Sequence, residues 1–304
     1  MCIDFHPNHP ALLAAGCYDG TVMVFDIRST NKPIYQSTVR THKHTDPVWQ
    51  VRWNPDQTSK TLNFYSISSD GRVTNWNLMK DKLEAEEVIK LKLVHDEKEE
   101  TDGKKEAFLY GLAGGMCFDF NPIKEHLFLV GTEEGFIHLC SKEYSGEYLE
   151  TYKSTTSGQN LAVYTVKWNP YHEDVFLSCS ADWTIKMWRL DMKRPVVTFD
   201  LENEIGDIAW APYSSTVFAA VTSTANQEGR LYIYDLDQDK HQELSCMPTT
   251  KKSKALHVAF NPSGPYILVG DQRGGVISFK LPNSLSCGPL CPDPKDETQK
   301  GVTS

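Results

Sequence analysis

Val48-Trp49-Gln50-Val51-Arg52-Trp53-Asn54-Pro55, followed by Phe64-Tyr65-Ser66-Ile67-Ser68-Ser69-Asp70-Gly71 and then Trp76, is the stretch whose reading decides the fold. Its first part alternates as a half-buried strand does and stops at a proline, which has no amide hydrogen to give to a ladder. The second part is a β-branched and aromatic run ended by Asp-Gly, a pair suited to a tight hairpin turn with positive φ. A third strand then ends on Trp76. Working outward, the aromatic-polar-proline ending recurs as Phe5-His6-Pro7, Phe120-Asn121-Pro122, Trp168-Asn169-Pro170, Trp210-Ala211-Pro212 and Phe260-Asn261-Pro262. The alternating strand recurs as well, for instance in Tyr164-Thr165-Val166-Lys167-Trp168.

The six prolines, from 7 to 262, are separated by 48, 67, 48, 42 and 50 residues. That brackets the roughly 40–45 residues of a four-stranded propeller blade. An all-β propeller with six recognisable blades is predicted, with turn glycines at Gly20, Gly71, Gly135, Gly229 and Gly275. The third strands end in an aromatic, a polar residue and an aliphatic: Phe25-Asp26-Ile27, Trp76-Asn77-Leu78, Trp188-Arg189-Leu190, Tyr234-Asp235-Leu236 and Phe279-Lys280-Leu281. This resembles the degenerate dipeptide of the WD-repeat family. The resemblance implies a structural tetrad in which a turn Asp bonds a His between blades and a second-strand Ser beneath the Trp. Asp70, Trp76, His44 and Ser66 fit it; Asp182, Trp188 and Ser178 fit it without the His; the third unit departs further, with Glu134 and Cys140.

Hydrophobic residues make up 40% and charged residues 23% of the chain, enough apolar material for a sizeable core. There is no apolar run long enough to cross a membrane as a helix and no signal-like start, so the expectation is an intracellular protein. The eight cysteines are scattered, with Cys117, Cys140 and Cys179 at strand positions where a thiol acts as a small apolar residue. A formal charge of -9 argues against nucleic acid and directs attention to protein partners. Lys251-Lys252-Ser253-Lys254 is expected to be a solvated loop.

The propeller is expected over 1–281, in units at about 1–45, 46–112, 113–160, 161–202, 203–253 and 254–281. The 67-residue interval holds a charged insertion loop, 94–106, and 282–304 is expected to be a disordered tail. The chain begins inside the first strand of a blade, and no fourth strand is evident after Leu281. The expectation is an incomplete ring whose upstream blades are missing.

No motif carries catalysis, a cofactor or a metal. Gly131-Thr132-Glu133-Glu134-Gly135 lacks the Lys-Ser or Lys-Thr and the helix of a phosphate cradle. Asp235-Leu236-Asp237-Gln238-Asp239 opens like a calcium loop, but Lys240 and Cys246 stand where Gly and Glu are needed. Cys287 and Cys291 have no second pair of ligands nearby. His6, His42, His44, His126 and His172 fall in turns or between blades, without a nucleophile elbow or a His-Glu-x-x-His helix.

Lys43-His44-Thr45-Asp46-Pro47-Val48-Trp49-Gln50-Val51, Leu129-Val130-Gly131-Thr132-Glu133-Glu134-Gly135, Trp168-Asn169-Pro170-Tyr171-His172, Cys179-Ser180-Ala181-Asp182-Trp183-Thr184-Ile185-Lys186 and the run from Trp210 to Ala220 resemble axonemal dynein intermediate chains, above all the intermediate-chain-1 type of the outer arm. The resemblance implies a non-catalytic subunit that docks on a dynein heavy-chain tail beside another intermediate chain. It also implies dynein light chains held through an amino-terminal region absent here, with no role for nucleic acid or membrane. Cytoplasm, cytoskeleton and the axoneme of a cilium or flagellum are the implied locations. The alternative is another WD-repeat adaptor, such as a cytoplasmic or inner-arm dynein intermediate chain. Trp183, in a hairpin turn, and Trp49 are the candidate partner contacts.

Overall fold

The computed structural model describes residues 1–29, 32–54, 62–80, 82–93, 111–144, 146–154, 161–224, 226, 228–282 and 285. Among these, the chain is a succession of antiparallel sheets whose strands follow one another in chain order. Blade 1 holds β1 (Cys2–Phe5), β2 (Leu12–Gly16), β3 (Val22–Asp26) and β4 (Tyr35–Gln36). Blade 2 holds β5 (Val48–Trp53), β6 (Asn63–Ser68), β7 (Arg72–Leu78) and β8 (Leu83–Lys90); blade 3 holds β9 (Gly115–Phe120), β10 (Leu127–Thr132), β11 (Phe136–Ser141) and β12 (Glu150–Lys153). In blade 4 come β13 (Val163–Trp168), β14 (Val175–Ser180), β15 (Thr184–Arg189) and β16 (Val197–Asp200), and in blade 5 β17 (Glu204–Trp210), β18 (Val217–Ser223), β19 (Gly229–Asp235) and β20 (Ser245–Thr250). Blade 6 has three described strands, β21 (Ala255–Phe260), β22 (Tyr266–Asp271) and β23 (Val276–Lys280). The one helical element among the described residues is the 3₁₀ turn Val39–Thr41.

The fold is a six-bladed WD-repeat propeller. Successive first strands pack on one another, β1 on β5, β5 on β9, β9 on β13, β13 on β17 and β17 on β21. They surround an axial space of about 620 Å³ to which Asp4, Arg52, Met116, Lys167, Asp207 and His257 contribute, one from each blade.

The aromatic-polar-proline ending has a double use. The ring of Trp53 packs back on blade 1, its backbone N–H donating to Asp4 Oδ2 at 2.9 Å and its indole N–H to Asp4 O at 3.0 Å. Trp168 repeats this on Asp119 at 2.9 and 3.2 Å, and the Trp210 indole donates to Lys167 O at 3.2 Å. The Asn of the motif reaches forward instead. Asn121 and Asn169, both buried, accept in their own turns through Oδ1 and donate through Nδ2 to Glu173 O and Ser215 O of the next blade, each at 2.8 Å. A buried amide bonded at both its oxygen and its nitrogen favours one neighbour geometry. Close approach does the rest: a Cβ on Gly16 would lie 2.6 Å from Val48 of blade 2, and one on Gly131 2.9 Å from Val163 of blade 4.

The core lies between blades, where Trp76, Trp188, Phe64, Phe128, Phe176 and Phe218 are fully buried. Burying such a ring contributes roughly 2–3 kcal/mol. The faces of the two end blades differ, since Ile3 and Phe5 of blade 1 and Tyr266, Leu268 and Val276 of blade 6 are exposed.

Three expectations need correction. Gly229 is a strand residue without positive φ, and in blade 6 Gly274 (φ 83°), rather than Gly275, takes the left-handed turn position. Blade 1 is not short of a strand, because Cys2–Phe5 pairs fully with β2. Leu285, within the segment read as a tail, is buried against the cluster shared by blades 5 and 6 because the chain turns back through Leu285 N to Pro282 O. The insertion at 94–106, and with it the reading of a charged loop, lies outside the described residues, as does the rest of the tail from 286.

Candidate functional site

In blade 2 the structure brings His44, Ser66, Asp70 and Trp76 together. The Trp76 indole, which can only donate, gives its N–H to Ser66 Oγ at 2.7 Å. The Ser66 hydroxyl is then left to donate to His44 Nε2, also at 2.7 Å, which places the proton of that imidazole on Nδ1, 3.0 Å from Asp70 Oδ2. Asp70 further accepts from the N–H of Thr45, the N–H of Arg72 and the Arg72 guanidinium. Burial alone would raise the Asp70 pKa. The hydrogen bonds from His44, Arg72 and the Thr45 N–H outweigh it and hold the carboxyl well below the usual carboxylate range.

Blade 4 uses the same positions differently. The Trp188 indole still donates to Ser178 Oγ at 2.9 Å, yet Asp182 does not take part. Its carboxylate instead receives the Lys186 ammonium at 2.5 Å, the hydroxyls of Ser180 and Thr184, and the N–H of Thr184. Lys186 is buried, so here an ion pair stands where blade 2 has a histidine bridge. Burial opposes ionisation of Asp182, and the Lys186, Ser180 and Thr184 bonds override it, leaving its pKa lowered. Sequence reasoning looked for a histidine and missed Lys186. The available signal was its place between Thr184 and Trp188 on one face of an alternating strand.

Blade 3 has no such polar set. Cys140 stands at the Trp position, Glu134 Oε1 accepts the Gly114 N–H at 3.0 Å, and His138 is buried in a stack 3.8 Å from Tyr148. Burial pushes the His138 pKa down to about 4, which keeps the ring neutral near pH 7.

The two candidate contact tryptophans are unlike each other. Trp49 is half-buried at the mouth of the axial space, with its indole N–H donating to Ser69 Oγ at 2.6 Å. Trp183 is 50% exposed, and its backbone is left-handed at φ 65°. Gly20, Gly71 and Gly135 hold the corresponding turn position in blades 1 to 3, all with positive φ. A side chain with a Cβ pays about 1–2 kcal/mol of strain in that conformation. Folding alone calls for no large ring there, and strain together with exposure keeps Trp183 a candidate contact. Trp183 sits on the face that carries the turns between second and third strands and the loops entering each first strand.

Elsewhere chemistry is sparse. Among the described residues no group of three or more His, Cys, Asp or Glu side chains is placed to hold a metal ion. Gly131 to Gly135 forms the β10–β11 hairpin, and Asp235 closes β19 with its carboxylate bonding Thr216, Gln238 and the N–H of Asp237. Burial pushes the Cys117 thiol up to about 12, and it raises Cys140 and Cys179 further, so these thiols stay protonated.

The WD domain, G-beta repeat family matches residues 1–26, 36–77 and 148–189. Over 94% of its length the chain is 47% identical to "Dynein intermediate chain 2, ciliary" of Heliocidaris crassispina, and equally so to "Dynein, 78 kDa intermediate chain, flagellar outer arm" of Chlamydomonas reinhardtii. This propeller belongs to the axonemal dynein intermediate chains. The chain spans 40% and 41% of the lengths of those two relatives. "Dynein axonemal intermediate chain 4" of Xenopus laevis is more distant, at 36% identity over 88% of the chain and 36% of that relative. Among solved structures, the computationally designed Ika8 protein superposes with a TM-score of 0.61 at 15% identity, covering 92% of this chain and 70% of that one, a likeness of fold alone.

Proposed function

We propose that this chain is the propeller of a non-catalytic intermediate-chain subunit of an axonemal outer-arm dynein, a scaffold that docks on the heavy-chain tail for motor assembly in cilia or flagella. The carrying observation is the 47% identity, across nearly the whole chain, to relatives named as ciliary and as flagellar outer-arm chains. Fold alone would not support this, since propellers serve many purposes. The lower identity to intermediate chain 4 favours the outer-arm reading over other members of the family.

A non-catalytic role fits the residues. The buried ionisable groups with large shifts include Asp70, tied into blade architecture, and His138 and the thiols of Cys117, Cys140 and Cys179, shut in the core. What the propeller offers a motor is a rigid disc positioning one broad face. Trp183 is the proposed anchor on that face, with Trp49 contributing the rim of the axial space. Partners are the heavy chain, a second intermediate chain, and light chains held by parts of the relatives beyond this propeller.

The test is capture of dynein from salt-extracted axonemes on the immobilised chain, with cytoplasmic dynein as competitor. Recovery of an outer-arm heavy chain in preference to the cytoplasmic one is expected. Preference for the cytoplasmic heavy chain, or recovery of neither, would overturn the assignment.

A further inference from the structure

Four non-glycine residues have left-handed backbones among the described residues: His42, Trp183, Glu202 and Lys252. They come from four separate connections, β4 to β5, β14 to β15, β16 to β17 and β20 to β21. All four connections open on the same face of the disc, because second-to-third-strand turns and the loops entering first strands lie on one side. Backbone strain in this molecule is therefore concentrated on the face that carries Trp183, and the opposite face has none of it among the described residues.

Three of the four are linked in a strip across blades 4, 5 and 6. Leu201 N donates to Trp183 O at 3.2 Å, which sets the loop of Glu202 beside the tryptophan. Two residues on, the Glu204 carboxylate takes the Lys254 ammonium at 2.5 Å, tying that loop to the one bearing Lys252. Tyr164, 38% exposed, lies near both Glu204 and Lys254 and fills the inner side of the strip. Lys254 is thus compensated, whereas Lys251 and Lys252 are exposed and form no ion pair among the described residues. Arg273 is exposed in the next turn.

We infer that this strip is the docking surface and that its occupant is an acidic protein segment with an apolar side chain beside its carboxylates, the apolar group on Trp183 and the carboxylates on Lys251 and Lys252. The inference rests on the docking role proposed above and adds the face and the chemistry of the partner. Charge complementarity selects the occupant. The chain carries a formal charge of -9, so an acidic partner is repelled by most of its surface and is admitted where unpaired lysines gather. The aromatic at the other end of the strip supplies the desolvated contact that long-range charge does not.

The experiment uses the full chain and a fluorescent peptide of glutamates with one central leucine, followed by anisotropy, with the same peptide built from lysines as control. The acidic peptide is expected to bind, to weaken as salt rises, and to lose about tenfold in affinity in W183G and again in K251E/K252E. Charge reversal on the opposite face, K193E, leaves binding unchanged; Lys193 is exposed and pairs with Glu150. Circular dichroism on each variant guards against misfolding, and glycine at 183 suits the turn. Equal binding by wild type, W183G and K251E/K252E, or equal binding of both peptides, overturns the inference. The same variants are then compared in heavy-chain capture. If the wild type captures an outer-arm heavy chain and K251E/K252E captures it equally well, the strip is wrong and the dynein assignment stands. If the peptide binds through the strip and no heavy chain is captured, the strip stands and the assignment fails.

Discussion

Blades 2 and 4 occupy equivalent places and put the same residue types to opposite uses. In blade 2 the turn is Asp70-Gly71, and the carboxylate is turned to His44 and Arg72, with His44 passing on to Ser66. In blade 4 the turn is Asp182-Trp183, the Asp is occupied by Lys186, and the residue at the left-handed position is a half-exposed tryptophan. One blade is arranged for its own stability. The other accepts strain at the surface, which selection for folding alone would remove by placing glycine there.

Substitutions can break that contrast at either end. Asp70→Ala leaves the His44 Nδ1 donor and the Arg72 guanidinium without their carboxylate in a buried setting, and should cost about 3 kcal/mol in a denaturant melt. An unchanged midpoint would mean that blade 2 does not depend on its polar set. Asp70 has a folded pKa below its unfolded value, so its contribution is present above about pH 4 and is lost as pH falls through the acid range. Asp182 has the same sign. The acid-side loss of stability should accordingly be shallower in Asp70→Ala than in the wild type, and parallel pH profiles would contradict the network.

A smaller effect is expected in blade 4. Lys186→Met keeps the packing and leaves Asp182 with Ser180 and Thr184, so about 1–2 kcal/mol should be lost, less than at Asp70 because Asp182 is partly solvated. A loss equal to that of Asp70→Ala would erase the distinction between the blades. The finest comparison is Trp183→Gly with Trp183→Ala. Both remove the ring, and only alanine keeps a Cβ at φ 65°, so the glycine variant should be the more stable by about 1 kcal/mol. Alanine matching or exceeding glycine would show that the position carries no strain.

Much of this fold was legible because a blade is built from local, periodic signals. The proline-ended strand, the Asp-Gly turn at Gly71 and the third-strand aromatics each act within a few residues. What crossed between blades was harder to see. The reach of Asn121 and Asn169 into the following blade, the use of Asp4 and Asp119 to hold Trp53 and Trp168, and the fit of Gly16 to Val48 depend on neighbours about 30 to 50 residues away. The Lys186 ion pair was hidden for another reason, since a lysine in a strand is ordinarily solvated. Trp49 could be named from sequence as a candidate, but its bond to Ser69 needed coordinates. Trp183 was visible as an aromatic out of place in a turn; the strain beneath it was not. The strip reaching Lys252 joins three blades and has no local signature at all.

The most direct test of the central claim is quantitative capture of an outer-arm dynein heavy chain by the full chain and by its Trp183→Gly variant. The account predicts that the wild type captures it and that the variant, though folded, captures it about tenfold more weakly, a loss of roughly 1.4 kcal/mol. Equal capture by the two proteins would contradict the role of the strained face, and no capture by either would contradict the docking role proposed for this propeller.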